Sequence, residues 1–195
     1  GGEIFGRKLG HIKKEDWAYI TASNIKIKGS SDTLQWKYIQ PDDGNIHDAS
    51  VMKVTLLKPL KPNEKLVIEM DFVAKLPMFL VRAGYSRDEY YSFLHWFPQL
   101  GVYEQDEKGN WYWNCHQFFR QTEFYADFSD FQLELDIPKS LVVGYSGCLE
   151  KQEINENTKR KKLFIEAKDV IDFAWIAYPY FVEYNSQWKG VDIKM

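Results

Sequence analysis

The strongest constraint on the fold is an alternation of apolar and polar residues that recurs along most of the chain. The stretch FQLELDIP at 131–138 is the cleanest example, because its apolar residues, from Phe131 to Ile137, fall on one face and polar residues separate them. A period of two belongs to a β-strand with one buried face, whereas an amphipathic helix repeats every 3.6 residues. We therefore predict an all-β protein.

Turn residues separate the alternating segments. Gly, Pro, Asn and Asp cluster in PDDGN (41–45), KPNEK (61–65), EKGN (107–110) and NENTK (155–159), where they favour tight turns. Only 86–97 could be helical, and its many aromatic residues fit a loop or strand equally well. About ten strands or more, without a linker or repeat, predict a single β-domain over residues 1–195, built from two packed or end-joined antiparallel sheets. The predicted strands are 24–29, 33–40, 50–57, 65–76 and 131–138, followed by SLVVGYSG, KKLFIEA, FAWIAYPYF and GVDIKM.

The composition argues against several classes of protein. A formal net charge of -3 lacks the basic surplus of nucleic-acid binders, so we expect no nucleic-acid partner. No window approaches the roughly 20 apolar residues that cross a bilayer, so we expect no transmembrane segment in this chain. Cys115 and Cys148 are too few for a Cys-rich zinc site and form either one disulfide or two free thiols. The ends, GGEIFG and GVDIKM, suggest a piece of a longer protein.

One stretch, WYWNCHQFFRQTEFYADF at 111–128, concentrates the residues that could carry chemistry. Eight aromatic residues surround a Cys-His pair, an Arg and a Glu. On a strand, the adjacent Cys115 and His116 would point to opposite faces and could not share a metal. Trp111 and Trp113 would share a face, either as a stacking platform for sugars or peptides or as a pair of core residues. We favour the core pair.

Glu123 is the acidic residue of this stretch that most needs an explanation. On a strand it would share a face with Tyr125 and Asp127. An isolated acid in such apolar surroundings is either paired, here with Arg120, or presented to a cationic ligand. The sequence contains no HExxH zinc motif, no G-x-S-x-G elbow, no P-loop and no G-x-G-x-x-G fingerprint, so we assign no catalytic residue.

The order of five segments carries a family resemblance. They are LLKPLKPNEKLVIEMDF (56–72), HWFPQLGVYE (95–104), GNWYWN (109–114), TEFYADFSDFQLELDIPKSLVVGYSG (122–147) and IDFAWIA (171–177). In this order they resemble the N-terminal domain of the aminopeptidase N-like zinc metallopeptidases, the gluzincins, and especially its bacterial members. The resemblance covers about residues 20–195.

The resemblance implies a fold, a function and two site residues. The fold would be a saddle of packed antiparallel sheets that lies on a thermolysin-like catalytic domain, expected after residue 195. Zinc and its ligands would belong to that domain, so this chain would hold no metal or cofactor and would not be catalytic alone. As an accessory domain it would line the cleft near the free N-terminus of the peptide substrate. By the family's Q-x-[EQ] signature, Glu123 and Gln121 would help to hold the substrate's α-amino group.

Other functions and the cellular location stay open. The chain could be a stand-alone carbohydrate- or peptide-binding β-module that uses Trp111, Tyr112 and Trp113, or the interaction domain of a degenerate peptidase. The reading frame beyond residue 195 distinguishes these functions. An HExxH motif with a downstream Glu favours the peptidase, and a stop codon favours the binding module. A gluzincin-like domain that lacks those zinc ligands favours the interaction domain of a degenerate peptidase. Relatives of this type are often exported or membrane-attached in bacteria, which slightly favours that location.

Overall fold

The computed structural model describes residues 3–4, 7–8, 13, 16–78, 82–119 and 122–194, and it confirms the all-β class. Within those residues it contains seventeen strands and no α-helix. The strands are β1 (Glu3–Ile4), β2 (Arg7–Lys8), β3 (Tyr19–Ile27), β4 (Gln35–Ile39), β5 (Val51–Thr55), β6 (Ile68–Lys75), β7 (Gly84–Tyr85), β8 (Tyr91–Phe93), β9 (Val102–Gln105), β10 (Trp111–Asn114), β11 (Ser129–Pro138), β12 (Val142–Tyr145), β13 (Cys148–Asn155), β14 (Arg160–Val170), β15 (Trp175–Tyr178), β16 (Asn185–Trp188) and β17 (Val191–Lys194).

The chain divides into two compact units. The first comprises residues 1–18, 75–96 and 128–195, and the second comprises 19–74 and 97–127. Each unit is assembled from segments that are distant in sequence. That residues 1–195 behave as one domain stays a prediction.

Two antiparallel sheets form the body of the first unit, with strand orders β11-β14-β13 and β12-β15-β8-β7. Leu135 of β11 pairs with Leu163 of β14, which keeps the apolar residues of both strands on one face. The alternation predicted for 131–138 is confirmed, because Leu135 and Ile137 are buried and the polar residues between them are exposed.

Aromatic rings dominate the core of this unit. Phe173 is fully buried, and its ring centroid lies 6.0 Å from that of Phe131. The rings of Phe93 and Trp175 stack with centroids 3.7 Å apart and planes inclined by 5°. Packing of these large rings stabilises the unit. The segment 86–97, the only candidate for a helix, instead contains the short strand β8.

The second unit consists of two-stranded pairings, β3 with β6, β4 with β5, and β9 with β10. Two-stranded ribbons are only marginally stable in water, so contacts between them matter. The backbone N–H of Leu34 donates to the carbonyl of Ile25 at 2.7 Å, and both side chains are almost fully buried. Val102, the first residue of β9, is likewise buried. The predicted turns at 41–45, 61–65 and 107–110 are confirmed in this unit.

Candidate functional site

The hairpin of β9 and β10 carries three exposed aromatic rings on one face. Trp113 pairs with Tyr103, and Trp111 lies diagonally across from it. The Tyr103 ring centroid is 5.3 Å from that of Trp111 and 5.0 Å from that of Trp113. All three side chains are 52–59% exposed. The favoured prediction of a core tryptophan pair is therefore wrong: Tyr103 stacks on Trp111 and lies tilted against Trp113 across the strands, while the face of the three rings stays open to solvent.

The turn of this hairpin is organised by Asp106. Its Oδ1 accepts hydrogen bonds from the backbone N–H groups of Lys108 at 2.9 Å and Asn110 at 2.8 Å, and Oδ2 accepts one from Asn110 Nδ2 at 3.0 Å. Gly109 occupies the left-handed position of the turn with φ +81°. Aspartate and glycine at these places define a tight connection, which fixes the register of the two strands.

Glu104 lies on the face opposite the rings and accepts three hydrogen bonds. Its Oε1 accepts from Asn114 Nδ2 at 2.6 Å and from the Tyr112 hydroxyl at 3.3 Å, and its Oε2 accepts from the Tyr125 hydroxyl at 2.9 Å. The bond from Asn114, followed by that from Tyr125, holds the pKa of Glu104 below its ordinary value. The bond to Glu104 in turn raises the pKa of Tyr125. The carboxylate thus joins both strands of the hairpin to the segment that contains Tyr125.

That segment, residues 122–128, contains Glu123. It is irregular, so the strand geometry in which Glu123, Tyr125 and Asp127 would share a face does not apply to it. The Tyr125 hydroxyl donates to Glu104, and the hydroxyl and backbone N–H of Thr122 both donate to the carbonyl of Phe119. The Glu123 side chain is exposed in the structure. Gln121, the second predicted substrate-binding residue, and Arg120, the candidate ion-pair partner, lie outside the described residues.

A network of hydrogen bonds among Asp42, Asp43, His116 and Gln117, called the latch below, connects the turn at 41–45 to the segment after β10. The side chain of Gln117 is 3% exposed, and its Oε1 accepts from the backbone N–H groups of Asp42 at 3.0 Å and Asp43 at 3.2 Å. The Asp42 carboxylate accepts from the backbone N–H of Gln117 at 2.6 Å and lies 2.8 Å from Nδ1 of His116. The Gln117 bond, and then the His116 bond, lower the pKa of Asp42. Within the latch, the carboxylate of Asp42 orients the exposed imidazole of His116.

Cys115 and His116 diverge, as the sequence predicted, although they follow β10 rather than lie within it. His116 contacts Asp42, whereas Cys115 lies against Gly101, where an added Cβ would be 2.1 Å from its Sγ. Both Cys115 and Cys148 are free thiols, and burial raises the pKa of Cys115. A thiol with a raised pKa is a poor nucleophile. In the described part of the chain, no group of three or more His, Cys, Asp or Glu side chains could hold a metal ion.

Sequence reasoning missed the two acids that organise this region. The role of Glu104 could have been predicted from the sequence, since strand alternation across the EKGN turn places it opposite the aromatic face and beside Tyr112. The role of Asp42 could not have been predicted, because its partners His116 and Gln117 are 74 and 75 residues away in sequence and no local pattern marks the pairing.

Comparison of the chain with protein-family models, with curated proteins and with solved structures finds no match. No helix of the described residues is both long and apolar enough to cross a membrane.

Proposed function

We propose that this chain is an accessory N-terminal β-domain of a zinc aminopeptidase-like metallopeptidase. It packs on the catalytic domain, lines the substrate cleft near the free N-terminus of the peptide, and is not catalytic alone. The observation that carries the proposal is that segments bearing the family resemblance contact one another within each unit. Residues that match a family by coincidence have no reason to be neighbours, whereas residues that maintain a family fold do.

In the first unit these contacts join HWFP to IDFAWIA. Trp96 Nε1 donates to the carbonyl of Phe173 at 2.9 Å, and His95 Nδ1 lies 3.1 Å from Oδ2 of Asp172. Burial raises the pKa of Asp172, but the interactions with His95 and the hydrogen bond from the backbone N–H of Phe173 together outweigh it, so the pKa of Asp172 is lowered overall. The Trp96 ring also contacts Trp175 edge-on, with centroids 6.2 Å apart. The segments HWFP and IDFAWIA are therefore joined by polar side-chain contacts as well as by ring packing.

In the second unit the corresponding contacts centre on Glu104 of GVYE. Its carboxylate binds Asn114 of GNWYWN and Tyr125 of TEFYADF. Three fragments of the resemblance thus meet at one ionised side chain. This supports a shared structural role for the fragments.

Within this proposal, Glu123 binds the α-ammonium group of the substrate. Its carboxylate is exposed, on a segment whose neighbour Tyr125 is held in place by Glu104. A carboxylate at the closed end of a cleft recognises an ammonium group and so restricts cleavage to the peptide terminus. Gln121 is proposed for the same role from its position in the signature. Zinc is assigned to the catalytic domain, where it would activate water and polarise the scissile carbonyl.

The test uses the full-length protein that the proposal implies. Glu123→Ala should raise KM for peptides with a free N-terminus by about tenfold or more and leave blocked peptides almost unchanged, because only the former lose a charge-assisted contact. Glu107→Ala, in the exposed EKGN turn, is the matched control and should change neither. Equal effects on free and blocked peptides would make Glu123 structural, and peptidase activity in the 195-residue chain alone would contradict the accessory role.

The exposure of Tyr103, Trp111 and Trp113 favours a second candidate function, a carbohydrate- or peptide-binding module. Aromatic faces open to solvent stack on sugar rings and on apolar side chains. Titration of the chain with oligosaccharides and with peptides, followed by tryptophan fluorescence, tests it. Saturable quenching that is lost in Trp111→Ala supports the module, and the class of ligand that produces it decides between the two partners.

A further inference from the structure

The hairpin of β9 and β10 divides its side chains between two unlike faces. Because side chains alternate along a strand, the pairing places four of them on one face, called the ring face below: Tyr103, Gln105, Trp111 and Trp113. The other face contains the buried Val102 and also Glu104, the one charged residue of these two strands. Glu104 binds the Tyr125 hydroxyl, so this other face is the one that contacts the rest of the unit.

The rings of the ring face are held in position before any ligand binds. Tyr103 contacts the rings of Trp111 and Trp113 across the strands, and the turn bonds of Asp106 fix the register that brings them together. Tyr and Trp side chains have only two rotatable dihedral angles, so little conformational entropy remains to be lost on binding. Three rigid rings that stay more than half exposed form a surface suited to a ligand.

The polar groups of the ring face determine which kind of ligand fits. Besides two indole N–H groups, it offers the Tyr103 hydroxyl and the Gln105 amide, whose Nε2 already donates to the carbonyl of Gly109 at 3.2 Å. A peptide laid on this face would bring a backbone N–H and C=O with every residue, and most of these would lose water without gaining a partner.

A pyranose with equatorial hydroxyl groups does not have this cost. Its hydroxyl groups point outward in the plane of the sugar ring and stay in water when the flat side of the sugar is covered. That flat side consists of C–H groups, which carry a small positive charge and are attracted to the negative face of an aromatic ring. The ring face therefore fits a sugar better than it fits a peptide.

We propose that the ring face binds a neutral oligosaccharide of pyranose units with equatorial hydroxyl groups, such as a β-linked glucose chain. Since no charged side chain of β9 or β10 lies on this face, an acidic sugar would lose water there without compensation. The plane of Trp111 is inclined by 20° to that of Tyr103 and the plane of Trp113 by 46°, so the surface is bent. A bent surface matches a soluble chain whose successive units are rotated. The proposal rests on the second candidate function above, the binding module, and names its ligand.

NMR of the indole N–H groups tests the ligand class on the unmodified chain. We expect saturable shifts of Trp111 and Trp113 with cellotetraose, none with a blocked tetrapeptide of alternating Ala and Leu, and none at Trp36 of β4. A β-linked tetraglucuronate, which adds carboxylates to the same chain, should bind at least about fivefold more weakly. Saturation by the peptide alone would keep the binding module and overturn its assignment to sugars, whereas no saturation by any of these ligands would contradict both. Equal binding of the acidic chain, or retention on crystalline cellulose without a response to cellotetraose, would also overturn the proposal.

Variants of one ring locate the site. Trp111→Ala removes a stacking surface and should weaken cellotetraose binding by about fivefold or more, while Trp111→Phe keeps a smaller ring and should recover part of the affinity. Trp36→Ala is the matched control, because Trp36 is 40% exposed, lies on another two-stranded ribbon of the same unit and contacts Tyr38 edge-on. It should leave the affinity unchanged. Equal losses in Trp111→Ala and Trp36→Ala, or no recovery in Trp111→Phe, would refute stacking on the ring face.

Discussion

The hydroxyl of Tyr125 donates a hydrogen bond of 2.9 Å to Oε2 of Glu104, and this bond connects an irregular segment to a hairpin. Residues 122–128 belong to no strand before β11 begins at Ser129. Among their further attachments are the ring contact of Phe124 with Phe118, at 5.9 Å, and the bond from Thr122 N–H to the Phe119 carbonyl, at 3.2 Å. Among the contacts that hold the segment around Glu123, the bond to Glu104 is charge-assisted.

Tyr125→Phe should loosen this segment without unfolding the unit. We expect amide hydrogen exchange in 122–127 to become about two- to fivefold faster, because the loss of one solvent-accessible hydrogen bond has a modest effect. Tyr112→Phe is the matched control: it removes the longer, 3.3 Å bond to Oε1 of Glu104, which stays within the hairpin. If both variants change exchange in 122–127 alike, the Tyr125 bond does not position the segment.

Low pH should break the hydrogen bond between Tyr125 and Glu104, but only below the usual titration range of glutamate. The folded-state pKa of Glu104 is depressed, chiefly by Asn114 and then by Tyr125. Its stabilising contribution is therefore fully present above the unfolded value of about 4.3 and is lost as the pH falls through the lower folded value. Carboxyl-carbon NMR should show Glu104 titrating at a lower pH in the folded chain than in the urea-unfolded chain, and Tyr125→Phe should shift the folded-state midpoint of Glu104 upward. Equal midpoints in the folded and unfolded chain would contradict the hydrogen-bond geometry.

How far the sequence predicts this fold is clearest from two strands. In β11 the alternation gave both the strand and its buried face, since Leu135 and Ile137 are buried. In β10 the same pattern placed Trp111 and Trp113 on one face, yet that face is exposed. Alternation specifies which side chains share a face, whereas burial depends on whether another layer covers it, which is a long-range property.

The candidate site shows the same limit. Glu123 and Gln121 were identified from a local signature, but that signature does not say whether the chain around Glu123 joins a sheet, and residues 122–128 form no strand in the described structure. The latch between Asp42 and Gln117 spans 75 residues and rests on a buried amide, for which no local pattern exists. Local chemistry thus gives candidate residues, and tertiary contacts decide what holds them.

Replacement of Gln117 tests that latch. Gln117→Leu keeps the volume but removes the acceptor for the backbone N–H groups of Asp42 and Asp43, and should lower the free energy of unfolding by about 2 kcal/mol. Gln35→Leu, on the exposed face of β4 in the same unit, should change it by less than about 0.5 kcal/mol. Urea denaturation measures both. A loss in Gln117→Leu no larger than in the control would mean that solvent replaces the latch.

Gly147 should tolerate no side chain. It has φ +87°, and an added Cβ would lie 2.3 Å from the carbonyl oxygen of Glu166 and 2.7 Å from Cβ of Ala167. Gly147→Ala combines an unfavourable backbone conformation with a clash against backbone, so we expect a loss of about 3 kcal/mol or more in thermal or urea unfolding. Gly190→Ala separates the two causes, because Gly190 has φ +81° but nothing within 4 Å of an added Cβ. Gly190→Ala should lower the free energy of unfolding by only about 1 kcal/mol. Equal losses in the two variants would show that the atoms around Gly147 move to accommodate the added Cβ.

The ring contacts of Tyr103 with Trp111 and Trp113 should stabilise the β9–β10 hairpin, because a two-stranded ribbon depends on cross-strand side-chain contacts. Trp113→Ala removes the ring directly opposite Tyr103 and should lower the free energy of unfolding by about 1 kcal/mol and reduce the near-ultraviolet circular dichroism of the coupled rings. Trp113→Phe keeps a ring at the same position and should retain most of the stability. If Trp113→Ala leaves the stability unchanged, the stack contributes little to folding, and the exposure of three large rings then favours ligand binding on this face.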